Sequence, residues 1–209
     1  MIPTMVNPLE TSIPSLGRAS RARACARVSV HRLRPREREA VRAHLRALDA
    51  QDRYLRFGYP ASDAHIDRYV DALDFRRDEL YAVTGADCRL VAVAHLAYLV
   101  DAARGLCVEF GVSVARSHRG RGLGSCLFRK AALHARNEGA RFMMIHALSE
   151  NAAMLQIARR AGAQLVRDGS ESEAWLELPA ATLATTLADR WAEWRSRLLR
   201  VCCHGLALS

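Results

Sequence analysis

The chain has 209 residues, 50% of them hydrophobic and 25% charged, with a formal net charge of +9. That length supports one domain of ordinary size with a real core, and no apolar run reaches transmembrane length, so a soluble globular protein is expected. Lys130 is the only lysine; the positive charge is dispersed arginine, which suits a polyanionic ligand and by itself equally permits nucleic acid or an acidic membrane.

Residues 1–26 carry Pro, Ser and Arg without apolar periodicity and without the continuous apolar core of a signal peptide, and read as a disordered leader. The cysteines are Cys25, Cys88, Cys107, Cys126, Cys202 and Cys203, with no CxxC pair. They read as thiols in a reducing compartment, which places the protein in the cytoplasm. Cys202-Cys203-His204 has no second ligand pair beside it, so no metal is expected.

Arg27 to Leu33 alternates as a first strand. Pro35 opens a helix through about Leu48, with Val41, Leu45 and Leu48 on one side. Tyr54 to Pro60 reads as a connector. Ser62 caps a second helix through about Leu73, whose stripe is Ile66, Tyr69, Val70 and Leu73. Leu80 to Val83, Leu90 to Leu99 and Cys107 to Val114 read as strands, Ser125 to Asn137 as a helix, and Arg141 to Ala147 as a strand. Asn151 to Ala161 reads as a helix, with Gln164 to Val166 and Ala174 to Leu178 as closing strands. The order β-α-α-β-β-β-α-β-α-β-β predicts an α/β (α+β) domain, a mixed central sheet flanked by helices, over residues 27–178. Residues 179–209 form a C-terminal helix and tail. There Leu183, Leu187, Trp191, Trp194, Leu198 and Val201, at spacings of four, four, three, four and three, make a helical stripe. Packing on the domain and a homodimer contact both fit it.

Arg119-Gly120-Arg121-Gly122-Leu123-Gly124 lies between the Cys107 strand and the following helix. A glycine-rich turn entering a helix N-terminus is a phosphate cradle, because its glycines admit a close approach and its free N–H groups and dipole favour an anion. It is not a kinase-type P-loop, since GxxxxGK[ST] is absent. It is not a dinucleotide fingerprint either. Counted from Gly120, the last glycine would fall on Ser125.

Arg-x-x-Gly-x-Gly after a strand resembles the pattern of the GNAT acetyltransferase superfamily. A second match is Ser149-Glu150-Asn151-Ala152-Ala153-Met154, the Asn-x-x-Met start of a helix that ends in Arg160-Ala161-Gly162-Ala163. The element order over 27–178 fits the same fold. Arg56-Phe57 and Glu109-Phe110-Gly111-Val112 make the resemblance closest to the GNAT domain of bacterial Pat-like protein lysine acetyltransferases. The resemblance implies acetyl-CoA as co-substrate, bound by the 119–124 loop (Arg119, Gly120, Arg121, Gly122, Leu123, Gly124) and by Asn151. Its pantetheine arm would pair beside Val112-Ser113-Val114, so Val112 and Val114 are cofactor-binding candidates. It also implies a primary amine, small or a protein lysine, as acceptor.

An alkyl ammonium has a pKa near that of lysine, about 10.4, so a base must take its proton before attack on a thioester. Glu109 is the candidate. It stands among Val108, Phe110 and Val112, where burial would raise its pKa, and ten residues before Arg119, the place of the Pat-like catalytic glutamate. An edge-strand carboxylate facing water or paired with arginine is the alternative. Many family members use a tyrosine on the helix after Asn151 as acid, and residues 151–163 contain none. His146 is a candidate acid or a satisfied core histidine. Asp63, Asp67, Asp71, Asp74, Glu171 and Glu173 mark either an acceptor side for a cationic amine or a solvated face. The rival functions are an acyl-CoA sensor domain without turnover and a basic nucleic-acid-binding protein. The dispersed arginines and the lack of any recognition motif argue against the last.

Overall fold

In the computed structural model, which describes residues 25, 28–183, 186, 187, 189 and 191, seven strands form one sheet. They are β1 (Val30–Arg32), β2 (Asp78–Thr84), β3 (Leu90–Asp101), β4 (Gly105–Val114), β5 (Phe142–Leu148), β6 (Gln164–Asp168) and β7 (Glu171–Glu177). The order across the sheet is β1-β2-β3-β4-β5-β7-β6. Every pairing is antiparallel except β4 with β5. The mixed sheet expected from the sequence is therefore present.

The helices are α1 (Arg38–Arg46), α2 (Ala50–Phe57), α3 (Asp63–Ala72), α4 (Leu123–Asn137) and α5 (Ala152–Ala161). Strand alternation divides the core between the two faces of the sheet. Tyr81, Leu96, Val108, Phe110, Met143 and Ile145 pack with Leu127, Phe128, Ala131 and Leu155 of α4 and α5. Leu80, Ala82 and Val93 pack on the other face with Val41, Leu45, Ile66 and Val70 of α1 and α3.

The sequence reading missed α2, taking Tyr54 to Pro60 as a connector. Its ends are marked: Asp49 caps it through a 2.8 Å bond from the Asp52 N–H, and Gly58 closes it. Ala50, Tyr54 and Phe57 recur along it at helical spacing, but the helix is eight residues long and none of them is fully buried, and the sequence reading passed over that short stripe. Several boundaries also move. Helix α4 starts at Leu123, and β7 starts at Glu171, before the apolar run at Ala174.

Two further expectations change. Cys25 and Cys126 form a disulfide, with Cα atoms 5.5 Å apart, so they are not thiols; Cys88 and Cys107 are free. In the C-terminal segment, Leu183, Leu187 and Trp191 are exposed while Asp189 is buried. Lys130 and His134 on α4 draw Asp189 in: Lys130 Nζ bonds its Oδ1, and His134 Nδ1 stands 3.0 Å from its Oδ2. At Asp189 the segment thus docks through a charge, while the described part of the stripe is exposed. Trp194, Leu198, Val201 and Cys202-Cys203-His204 lie outside the described residues, as does the leader apart from Cys25. Among the described residues no helix is long and apolar enough to cross a membrane.

Candidate active site

The site starts where the sheet splits. Strands β4 and β5 pair only at Cys107–Phe142, Val108–Met143 and Glu109–Met144, although β4 runs on to Val114 and β5 to Leu148. Beyond Glu109 the strands part, and among the described residues one edge of Phe110 to Val114 has no strand partner, while β3 pairs the other edge throughout. Unpaired strand groups of this kind are a template for an extended ligand.

A cleft of about 440 Å³ occupies this opening. Of the residues singled out from the sequence, Val112, Val114, Arg119, Gly120, Gly122, Leu123, Gly124 and Asn151 all line it. Gly120 and Gly122 have φ of +74° and +76°, left-handed backbone that side chains rarely adopt. Gly122 caps α4, whose first intrahelical bond runs from Cys126 N to Gly122 O at 3.0 Å. The N–H groups of Leu123, Gly124 and Ser125 precede that bond and have no intrahelical acceptor. This cradle fits a pyrophosphate, and Arg160 and His118 also line the cleft.

Two loop side chains do not converge on that ligand. The Arg119 guanidinium pairs with Asp52 of α2 and contacts the Val114 carbonyl at 3.4 Å, tying the loop to the helix and to β4. Arg121 is not in the lining; its Nη2 turns back to the Ser117 carbonyl at 3.3 Å. Asn151 lines the cleft with its amide already engaged: Oδ1 accepts from Met154 N at 3.1 Å and Nδ2 donates to Leu55 O at 3.2 Å. Behind β4, buried His44 donates Nδ1–H to Leu90 O at 2.9 Å, and its Nε2 accepts from Ser113 Oγ at 2.9 Å. Burial, and after it the nearby Arg56 charge, lower its pKa, opposed by these hydrogen bonds, so it is the neutral ring that fixes Ser113.

A second pocket, about 290 Å³, adjoins the cleft and holds Glu109, His146, Glu171, Phe57 and Tyr59. Glu109 is exposed to it, so the burial expected for this residue is absent. Among the described residues no hydrogen bond or ion pair engages its carboxylate. His146 is likewise exposed, not a core histidine, and its Nε2 lies 3.1 Å from Glu171 Oε2. Of the two readings of the acidic helix face, its ion pairs go against an acceptor side. Asp63 pairs with Arg53, Asp67 with Arg42 and Arg46, and Asp71 with Arg42, while Asp74 accepts from the Arg76 N–H; none lines the pocket. Nor does Glu173, whose Oε2 accepts from Trp175 Nε1 at 3.3 Å. Among the described residues no group of three His, Cys, Asp or Glu side chains is placed to hold a metal ion.

A parted parallel pair with a glycine-capped helix at one mouth and an exposed carboxylate at the other is built to hold an extended, anionic ligand beside an ionisable group. Residues 43–163 match the model of the acetyltransferase (GNAT) family, and the chain belongs to that family. It is an acetyltransferase by membership. Solved structures share the fold. The GNAT domain of S. lividans PAT is 21% identical with a TM-score of 0.60, over 71% of this chain and 89% of that one. Spermidine N-acetyltransferase from Vibrio cholerae, solved with CoA and spermine, is 14% identical with a TM-score of 0.57, over 73% and 96%. The ribosomal-protein-S18-alanine N-acetyltransferase from Escherichia coli is 14% identical with a TM-score of 0.54, over 74% and 96%. No curated protein matches the chain significantly.

Proposed function

We propose that the chain moves the acetyl group of acetyl-CoA to a primary amine by direct attack in a ternary complex. The observation that carries this reading is the meeting of the two pockets: Leu55, Arg56, Val112, Asn151 and Met154 line both. The loop N–H groups from Leu123 to Ser125 hold the pyrophosphate, and the unpaired edge of β4 takes the amides of the pantetheine arm. The Val112 main chain lies at the junction, where an N–H aimed at the thioester oxygen is worth about 3–4 kcal/mol. Glu109 takes the amine proton directly or through a water; its freedom from any partner supports that role. Glu109 and Glu171, with Phe57 and Tyr59 beside them, suit a cationic acceptor. The exposed stripe of Leu183, Leu187 and Trp191 supports a homodimer contact.

The test is mass spectrometry of a panel of amines (a lysine peptide, spermidine and free amino acids) incubated with acetyl-CoA and the protein. Enzyme-dependent acetylation of one acceptor is expected. Tight CoA binding with no product from any amine class would favour a sensor domain instead.

A further inference from the structure

Of the five residues common to both pockets, Arg56 alone carries a charge. Three contacts fix it there. Its guanidinium lies 5.2 Å from the Phe57 ring centroid and 5.4 Å from that of Tyr69. Nη2 donates to the Tyr69 hydroxyl at 2.8 Å, which donates in turn to His95 Nδ1 at 2.7 Å. Behind them Asp78 Oδ2 stands 3.6 Å from His95 Nε2. Burial first, and then the Arg56 charge, push the His95 pKa down to about 4, so a neutral ring accepts at Nδ1. On the open side the guanidinium rests on β4 at Gly111. A Cβ there would come within 2.8 Å of Arg56 Nη2, so the bare backbone makes room for the cation.

Among the described residues no carboxylate lies within ion-pair distance of Arg56, and its Nε and Nη1 make no hydrogen bond. A half-buried, positioned, unpaired cation at the meeting point of donor and acceptor pockets is a site for an anion. Transfer creates one there, because cleavage of a thioester leaves its electron pair on sulfur, and α5 offers no tyrosine to protonate it.

We propose that Arg56 is a catalytic residue that balances the departing CoA thiolate, with Tyr69 and His95 as positioning residues behind it; the proposal rests on the acetyl-transfer reading above. The amine nitrogen bonds to the carbonyl carbon, its proton goes to Glu109 or the water it holds, and the C–S bond breaks. The sulfur departs as thiolate against a guanidinium that keeps its own protons, and solvent protonates the thiol after release.

The experiment titrates the thiol of bound CoA by its ultraviolet thiolate absorbance, with desulfo-CoA as the blank that removes the protein's own thiols. In the wild type the bound thiol titrates lower than in Arg56→Gln by about one pH unit or more. Arg56→Lys restores part of that difference. Gly111→Ala, whose methyl displaces the guanidinium while keeping its charge, raises the bound thiol pKa even if Arg56→Gln fails to fold. Turnover falls by about 10²–10³ in Arg56→Gln with CoA affinity kept. Identical titration in the wild type and Gly111→Ala, or in the wild type and a folded Arg56→Gln, overturns the role of Arg56 and leaves acetyl transfer standing. Failure of the wild type to bind CoA overturns both.

Discussion

The stability of the domain is predicted to fall as pH rises through about 9, because of one buried imidazole. His134 on α4 stands between two carboxylates: Nδ1 is 3.0 Å from Asp189 Oδ2, and Nε2 is 2.5 Å from Glu79 Oε2, the latter an ion-pair contact out of hydrogen-bond alignment. Lys130 faces Asp189, Arg32 lies 2.9 Å from Glu79, Glu138 lies 3.9 Å from His134, and Tyr81 packs edge-on against the ring. Burial pulls the imidazole pKa down, but the hydrogen bond to Asp189 and the Glu79 contact outweigh it and raise it to about 9 from 6.5. A raised folded pKa contributes stability that is fully present below the unfolded value and is lost as pH climbs past the folded one. At ~1.4 kcal/mol per unit the contribution is roughly 3 kcal/mol. Urea denaturation from about pH 6 to about pH 10, run on the wild type and Asp189→Asn, measures it. Removing one member of a buried pair costs about 3–5 kcal/mol at the low end of that range, and the two curves should converge toward the high end. A constant difference between them across the range would refute the reasoning.

Three other outcomes are expected. Gly122→Val forces a β-branched residue into a left-handed cap at φ +76°, costs about 1–2 kcal/mol of strain, and should weaken CoA binding strongly; calorimetry showing unchanged affinity in the folded variant would remove the loop from the cofactor site. Glu109→Gln should lower turnover by about 10²–10⁴ with CoA affinity retained, and near wild-type rates across pH would remove Glu109 from the mechanism. Leu187→Asp, placed in the exposed stripe, should convert a dimer to a folded monomer by light scattering; a wild type that is already monomeric at high concentration ends the homodimer proposal.

The legible parts of the sequence were those in which local chemistry and periodicity agree. Strand alternation sorted Leu80 and Ala82 from Tyr81 and Val83 onto opposite faces, and the glycines at 120 and 122 announced a backbone that they adopt. The charged positions were hard to read for one physical reason: the folded chain chooses their partners. Four aspartates that looked like an acceptor surface are consumed by neighbours that periodicity cannot assign: Arg42, Arg46 and Arg53 come from two other helices, and for Asp74 the partner is the Arg76 main chain. Likewise Asp189 is buried because Lys130 and His134, far away in sequence, give it partners. Charge pairing across long sequence separations leaves no periodic trace.

The one helix that the pattern hid is also the one that organises the site. Helix α2 buries no side chain fully, although Phe57 packs on the core, and two of its polar ties run to the motifs that the sequence did reveal. Asp52 holds Arg119 of the glycine loop, and the Leu55 carbonyl receives the Asn151 amide at the head of α5. Between those two anchors sits Arg56, which lines both pockets. On the acetyl-transfer reading proposed above, the side chains of Arg119 and Asn151 fix the helix that separates donor from acceptor, while main-chain N–H groups remain for the phosphates. On that division of labour, Asp52→Ala should free the loop and weaken CoA binding, whereas Arg56→Gln should leave binding intact and slow the chemistry. The two substitutions lie one helical turn apart, and calorimetry beside steady-state kinetics on the pair separates them. Equal losses of affinity in both variants would mean that α2 acts only as a wall.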